Sequence, residues 1–337
     1  MSIDKTTWPL RWSHGHGEVQ ALGGMLGPVH FNIAPHRQVQ PFAVFPWADE
    51  EAPSKEQALT GLLARGRGEW PCVPFGLAPD AAALGWNHPI HGESAHASWT
   101  RIDDASDDSH IQLRFDYADT SPIDYLVREI SCVHGQPEIR CRLTVHVKSD
   151  CLLPVGLHPV LKMPAAPGAL QLIPGAFQFA RSYPTEVELG ADLLQSDFQF
   201  QDLAKVATRQ GHHIDLLNFP LAEKTESLVQ LCGVDGRMTV INFEENYAFE
   251  LQWDAQILPS CVLWISNGGR QSWPWDGRHF GLGIEPVCAY FDTGVQASVQ
   301  ANPISAQGVS TSISLKHKKP LVLDHVMRLR AATEVAH

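Results

Sequence analysis

Apolar and polar residues alternate most cleanly between residues 111 and 147. Ile111 to Tyr117, Ile123 to Val133 and Glu138 to Val147 each read as a strand with a period of two. In the last, Ile139, Cys141, Leu143, Val145 and Val147 fall on one face, and Arg140, Arg142, Thr144 and His146 on the other. This pattern predicts an antiparallel meander with one face in water. Further strands are expected at Thr239 to Phe243, Tyr247 to Trp253, Cys261 to Ser266 and Ser310 to Lys316, with a strand or short helix after Pro320. From Val19 to Val44, short apolar runs broken by Gly and Pro suggest strands and turns. Helix signals are few: Gln57 to Ala64, weakened by Gly61, and a stretch near Leu193 to Leu203.

Two apolar runs differ from the rest. Each is interrupted by a polar residue that stands directly before proline: His158 within Val155 to Pro164, and Glu285 within Phe280 to Gly294. Glu is seldom fully buried unless paired, because removing its charge from water is expensive. Proline cannot donate to a sheet ladder, so the strand is expected to bulge or end beside Glu285. On these residues alone Glu285 reads either as a strand-end carboxylate bonded to backbone or Arg, or as the floor of a pocket. His158 likewise reads as a satisfied core histidine or as an acid/base group.

The loop Asn87-His-Pro-Ile-His-Gly-Glu-Ser-Ala-His96 gathers His88, His91 and His96 around Glu93. Those groups could ligate a metal, as in a cupin-like enzyme. Their spacing matches no metal motif, and Pro89 and Gly92 mark an irregular loop, so no metal is expected. Before it, Arg65-Gly-Arg-Gly-Glu-Trp-Pro-Cys-Val-Pro-Phe-Gly76 carries two arginines that read as a solvated loop or as a phosphate cradle, with Arg270 and Lys162 as further candidates to offset a phosphate.

Composition narrows the class. The 337 residues hold 26 Gly, 24 Pro and 10 Trp, with short apolar runs between turn-formers, which favours an all-β architecture. With no repeat or linker in view, one large domain over residues 1–337 is expected, its core spanning about 18–316. A net charge of -12 argues against nucleic acid as a partner. Seven scattered cysteines form no disulfide framework in a chain of this size. No signal pattern opens the sequence and no apolar run approaches a membrane span. The expectation is a cytoplasmic protein, monomer or homodimer, with no nucleic-acid or membrane partner. Fingerprints for phosphate loops, dinucleotides and nucleophile elbows are missing from the sequence.

His91-Gly92, His158-Pro159 and Glu285-Pro286, in that order and behind Trp70-Pro-Cys-Val-Pro-Phe-Gly76, resemble the aldose 1-epimerases, the galactose mutarotase-like family. The resemblance runs from about Glu18 to about Lys316. It implies a large β-sandwich, the supersandwich, with a sugar cleft on a concave face. It implies Glu285 as general base, His158 as general acid and His91 as a sugar contact, with Asn87, Trp264 and Asn267 as further substrate contacts. Interconverting α and β anomers requires deprotonating the C1 hydroxyl while protonating the ring oxygen, then rotation about C1–C2 and reclosure. A carboxylate near ~4.3 and an imidazole near ~6.5 supply base and acid close to neutral pH. Each charge is expected to stabilise the other. The partner implied is a small-molecule sugar, and no metal, nucleotide or other cofactor is needed. An alternative on the same fold is a non-catalytic carbohydrate-binding protein.

The chain departs from the family in places. Phe75-Gly76-Leu77 stands where typical galactose mutarotases place Asn-Arg, and Asp235 and Asp254 are candidates for the family's sugar-binding Asp. Glu93-Ser94-Ala95 replaces the Arg that hexose-6-phosphate mutarotases carry after His-Gly. With Trp70, Trp86, Trp273 and Trp275 available to stack on an apolar ring face, a neutral aldose is the expected ligand.

Overall fold

The alternating segments pair side by side. His110–Asp116, Ile123–Cys132 and Glu138–Val147 form successive antiparallel strands. A computed structural model describes residues 4–79, 81–86, 88–103 and 107–334. The meander extends on one side through Leu321–Ala331, Tyr247–Trp253, Arg237–Asn242, Leu170–Pro174 and Asn218–Phe219, and on the other to Thr100–Arg101, giving a nine-stranded sheet. The segment after Pro320 is therefore an eleven-residue central strand. Its inward residues Leu323, His325, Met327 and Leu329 alternate with outward ones, as period two requires.

An eight-stranded sheet lies against it. Its path is Gln199–Phe200, Phe179–Ser182, Thr225–Cys232, Ser260–Asn267, Phe280–Cys288, Val155–Leu157 and Pro71–Cys72, with Val160–Lys162 also pairing Phe280–Cys288. Val229, Leu231, Leu263, Ile265, Leu282 and Ile284 meet Ile139, Leu143, Val145 and Met327 of the other sheet in one continuous core. Burying each such side chain stabilises the fold by roughly 1.5–3 kcal/mol. The opposite face of this second sheet is also covered. Leu228, Val262, Trp264 and Val287 pack there with Phe45, Trp70 and Trp275. Thr225–Cys232 and Ser260–Asn267 are consequently buried along their whole length. A four-stranded N-terminal sheet, Thr7–Trp12 through Arg37–Val39, adds Leu10, Val19, Val29 and Phe31 to the main core.

Local expectations fare unevenly. The helix expected from Gln57 shrinks to Gly61–Arg65, beginning at the glycine. Residues 193–203 form no helix: the Asp192 carboxylate accepts from Leu194 N (3.1 Å) and Ser227 Oγ (2.6 Å), and the chain continues in turns and the short strand Gln199–Phe200. Within Ser310–Lys316, only Ile313–Leu315 is a strand, and it pairs Cys151–Leu153.

Pro286 neither ends nor bulges its strand. Phe280–Cys288 keeps unbroken register with Ser260–Asn267, Cys261 standing opposite Pro286. The break lies on the other edge, where Val160–Lys162 pairs with residues 283 to 281 and Val155–Leu157 pairs near residues 287–288. His158-Pro159 fills the gap between these two short strands. Ile284 N donates to Pro159 O at 2.9 Å on this edge. Backbone directions alternate along a strand, so Pro286, two residues on, turns its missing N–H into the same gap. The two prolines thus face an interruption where no ladder bond is lost.

Candidate active site

The ladder gap is also where two polar side chains emerge. Leu282 and Ile284 point into the inter-sheet core, so Gly283, Glu285 and Val287 point to the opposite face. Gly283 makes room there: a Cβ on it would lie 2.5 Å from Glu285 Oε1. Glu285 Oε1 lies 3.4 Å from His158 Nε2. His158 is fixed by its backbone N–H, which donates to Trp70 O at 2.9 Å, and by its ring, stacked on Trp70 at 4.3 Å and 21°. Trp264 approaches the imidazole edge-on at 5.8 Å, and His91 does so at 4.9 Å.

His91 owes its place to the residue after it. Gly92 has φ 82, and a Cβ there would meet Val73 O at 2.2 Å, so the turn admits only glycine. His91 itself takes φ 61, a left-handed conformation that costs a non-glycine residue about 1–2 kcal/mol. Its backbone N–H donates to Gly76 O at 2.7 Å, and Gly76 N donates to its Nδ1 at 3.3 Å. That bond assigns the ring proton to Nε2.

These groups line a cavity of about 300 Å³. Its walls are mainly apolar, with Phe45, Leu62, Leu228, Val262, Trp264 and Trp275 around the polar floor. Burial sets the protonation of that floor. It pushes the Glu285 carboxyl well above the usual carboxylate range, and the nearby Asp292 charge adds to the effect. It pushes His158 well below the usual imidazole range, helped by His91, and His91 itself down to about 3. The expected mutual stabilisation of two charges is therefore outweighed by desolvation. The pair holds one proton, resting on the carboxyl while the imidazole is neutral. Moving that proton gives carboxylate and imidazolium without any exchange with solvent.

No protein-family model matches this sequence, and no curated protein matches it. Solved structures do. A provisionally assigned aldose 1-epimerase from Escherichia coli K12 shares 14% identity over 97% of this chain and 99% of its own, with a TM-score of 0.65. A galactose mutarotase related enzyme from Lactobacillus acidophilus shares 11% over 97% and 98%, with a TM-score of 0.60. A galactose mutarotase-like protein from Lactobacillus casei ATCC 334 shares 11% over 96% and 100%, with a TM-score of 0.56. The fold is galactose mutarotase-like.

On this mutarotase-like fold, Glu285, His158, His91 and Trp264 come together around the cavity. Trp264 presents its ring, since its Nε1 donates to Glu226 at 2.5 Å. Asn267 does not join them. Its Nδ2 donates to Leu221 O (3.0 Å) and Glu223 O (2.8 Å), and its Oδ1 accepts from Leu221 N (3.1 Å). The amide clamps the 221–223 segment to the sheet, which corrects its expected role as a substrate contact. Asn87 lies outside the described residues. Trp70 and Trp275 line the cavity, while Trp86 donates to Glu93 and Trp273 to Gln57 O.

The other candidates are engaged elsewhere. Asp235 pairs with Arg237, and Asp254 accepts from Gln256 N in a turn. Arg65 pairs with Asp49, Arg67 donates to Arg65 O, and Lys162 pairs with Glu245. Of the loop histidines, His91 and His96 reach the cavity, and His96 Nε2 lies 2.9 Å from Ile90 O. His88 instead packs on Trp86 at 4.5 Å. Among the described residues, donors suited to a metal gather at Glu69, Cys141 and His325, outside the cavity. There the Arg128 guanidinium is hydrogen-bonded to Glu69 and already balances its charge.

Two polar cavity features were not singled out from the sequence, Asp292 and the Glu226 that anchors Arg270; His96 and Arg270 were weighed there only for a metal and for a phosphate. Arg270 Nη2 lies 3.5 Å from Glu226, its Nε 3.6 Å from Glu188, and its guanidinium 4.5 Å over Trp275. Glu226 alternates with Leu228 and Gln230 on the cavity face of Thr225–Cys232, a strand buried on both faces whose sequence carries no simple polar–apolar alternation.

Proposed function

We propose that this protein is an aldose 1-epimerase-like mutarotase acting on a small sugar. The observation that carries the reading is the 3.4 Å contact between His158 Nε2 and Glu285 Oε1 on the floor of an otherwise apolar cavity. The anomeric hydroxyl and the ring oxygen share one carbon, so the base and acid that serve them must stand a few ångströms apart. Glu285 takes the C1 hydroxyl proton while His158 protonates the ring oxygen. The ring opens, C1–C2 rotates, and reclosure on the other face reverses both transfers. A pair that holds one proton suits a reaction with no net proton change. Ligand hydroxyls donating to Glu285 would favour its ionised form, offsetting the burial that keeps it protonated. His91 Nε2–H is free to donate to a sugar oxygen, and the tryptophan faces suit the C–H face of a ring. The volume fits a monosaccharide, at the low end of small-molecule pockets.

The test is polarimetry on fresh α-glucose and α-galactose. Wild-type protein should accelerate mutarotation of one of them or of a related aldose. One observation favours a second reading, a carbohydrate-binding protein without catalysis. Burial leaves acid and base in the wrong protonation states for the first step. Saturable sugar binding with no acceleration over a panel of aldoses would establish that reading instead.

A further inference from the structure

Seven residues beyond Glu285, the chain leaves its strand and brings Asp292 to the cavity wall. Its Oδ1 is enclosed and has no hydrogen-bond partner among the described residues. An unpartnered buried acceptor destabilises a fold, so one is kept where a ligand supplies the missing donor. The placement is tightly built. Leu77 N donates to Asp292 O at 2.6 Å, and a Cβ on Gly76 would lie 2.8 Å from that carbonyl. Gly76 also exchanges hydrogen bonds with His91. One short segment, residues 75–77, therefore sets Asp292 and His91 relative to each other. The residues that deliver them are both left-handed, Phe291 at φ 46 and His91 at φ 61. Tyr183 steadies the Asp292 carboxyl through a side-chain hydrogen bond.

The charges around it point one way. Glu285 and Asp292 share the cavity wall, and the one guanidinium there among the described residues, Arg270, is divided between Glu226 and Glu188. With the Glu285 carboxyl holding the proton of its pair, that leaves the carboxyls of Asp292, Glu226 and Glu188 against one guanidinium. A phosphate or carboxylate on the ligand would meet no uncommitted cation among the described lining residues and would be repelled.

We propose that Asp292 is a specificity-determining contact: it accepts a hydrogen bond from a hydroxyl of the bound ligand and excludes ligands carrying an anionic substituent. This deepens the sugar reading above and rests on it. The experiment measures binding directly, through quenching of the cavity tryptophans, for glucose, galactose, glucose 6-phosphate and glucuronate at fixed ionic strength. Wild-type protein should bind at least one neutral sugar and discriminate against both anionic ones. Asp292→Asn, which keeps shape and removes charge, should weaken the neutral sugar about tenfold and narrow the discrimination by a similar factor. Asp292→Ala, checked by its melting curve, should narrow it as well if the Asn variant folds poorly. Equal weakening of neutral and anionic sugars, unchanged discrimination, or wild-type preference for an anionic sugar would overturn the assignment while leaving the sugar reading intact. Binding of no sugar by folded wild-type protein would overturn both.

Discussion

Glu69 and Glu285 are the same residue type and are 0% and 2% exposed; Glu69 bridges Leu26 just before the strand Pro71–Cys72, and Glu285 lies within Phe280–Cys288. Their carboxyls are driven in opposite directions. Burial raises both, but around Glu69 the Arg128 guanidinium and His325 overcome it and bring the carboxyl down to about 2. His325, 3.6 Å away, is raised to about 10 by Cys141 and Glu69 against the effect of its own burial. No permanent cation touches Glu285 among the described residues, so desolvation prevails there. Burial thus does not decide what a buried carboxylate is for; its countercharge does. A guanidinium that never deprotonates makes a structural ion pair, whereas an imidazole that can lose its proton makes a group able to exchange one.

The widest separation between the two sites should come from removing Glu285's ability to ionise. Glu285→Gln keeps the shape, so the rate on an accepted aldose should fall roughly 10²–10⁴-fold while thermal stability holds or rises. An unchanged rate would mean the base is another group. The reverse applies at the structural site. Arg128→Met leaves Glu69 buried without its cation and should cost about 3–5 kcal/mol in chemical denaturation. Adding Glu69→Leu to Arg128→Met should recover most of that loss. A single-variant loss below about 1 kcal/mol would sink the contrast.

The sequence revealed these sites to different degrees, for a physical reason. The nine-stranded sheet has one solvated face along Glu138–Val147, so period two marks it plainly. Thr225–Cys232 and Ser260–Asn267 are buried on both faces, and alternation there separates two buried environments instead of core from water. His158 and Glu285 stood out because prolines follow them and apolar residues flank them. Asp292 did not, since it lies beyond the strand end, where an Asp-Thr-Gly sequence reads as an ordinary turn. The Glu69 cluster had a readable signal: Arg128 shares its strand face with Leu126 and Ile130, and His325 shares its face with Leu323 and Met327. A charged residue at a core position calls for a buried partner. Which partner it finds depends on contacts far apart in sequence.

Acid should tell the two glutamates apart with opposite signs. Glu69 falls from 4.5 to about 2 in the folded protein. Its contribution is therefore fully present above about 4.5 and is lost as pH falls towards 2, a change of roughly 3 kcal/mol. Glu285 is raised, so it ionises in the unfolded chain first and subtracts stability as pH climbs above its ordinary value. Denaturation of wild type, Glu69→Gln and Glu285→Gln at several pH values tests this. The deficit of Glu69→Gln should shrink on acidification, and any advantage of Glu285→Gln should grow from mildly acidic towards neutral pH. Parallel curves for the two variants would show that their surroundings do not differ as described.

The smallest expected effect probes how finely Glu285 is held. Gly283 and Glu285 share a strand face, and a Cβ at 283 would lie 2.5 Å from Oε1 and 2.8 Å from the Trp264 Cβ. The carboxylate is the free end of a flexible side chain, so it should yield before the backbone does and swing away from His158. An acid and base displaced by an ångström lose alignment without unfolding anything, so Gly283→Ala should slow catalysis about ten- to thirtyfold with a stability loss near 1 kcal/mol. Gly281→Ala is the matched control. It lies two residues away on the same face, and its Cβ would meet His279 Cε1 at 2.7 Å instead of Glu285. It should carry a similar stability cost and leave the rate within about twofold. If both variants slow the reaction equally, general strain in the strand is responsible, and the position of the Glu285 carboxylate is not what Gly283 protects.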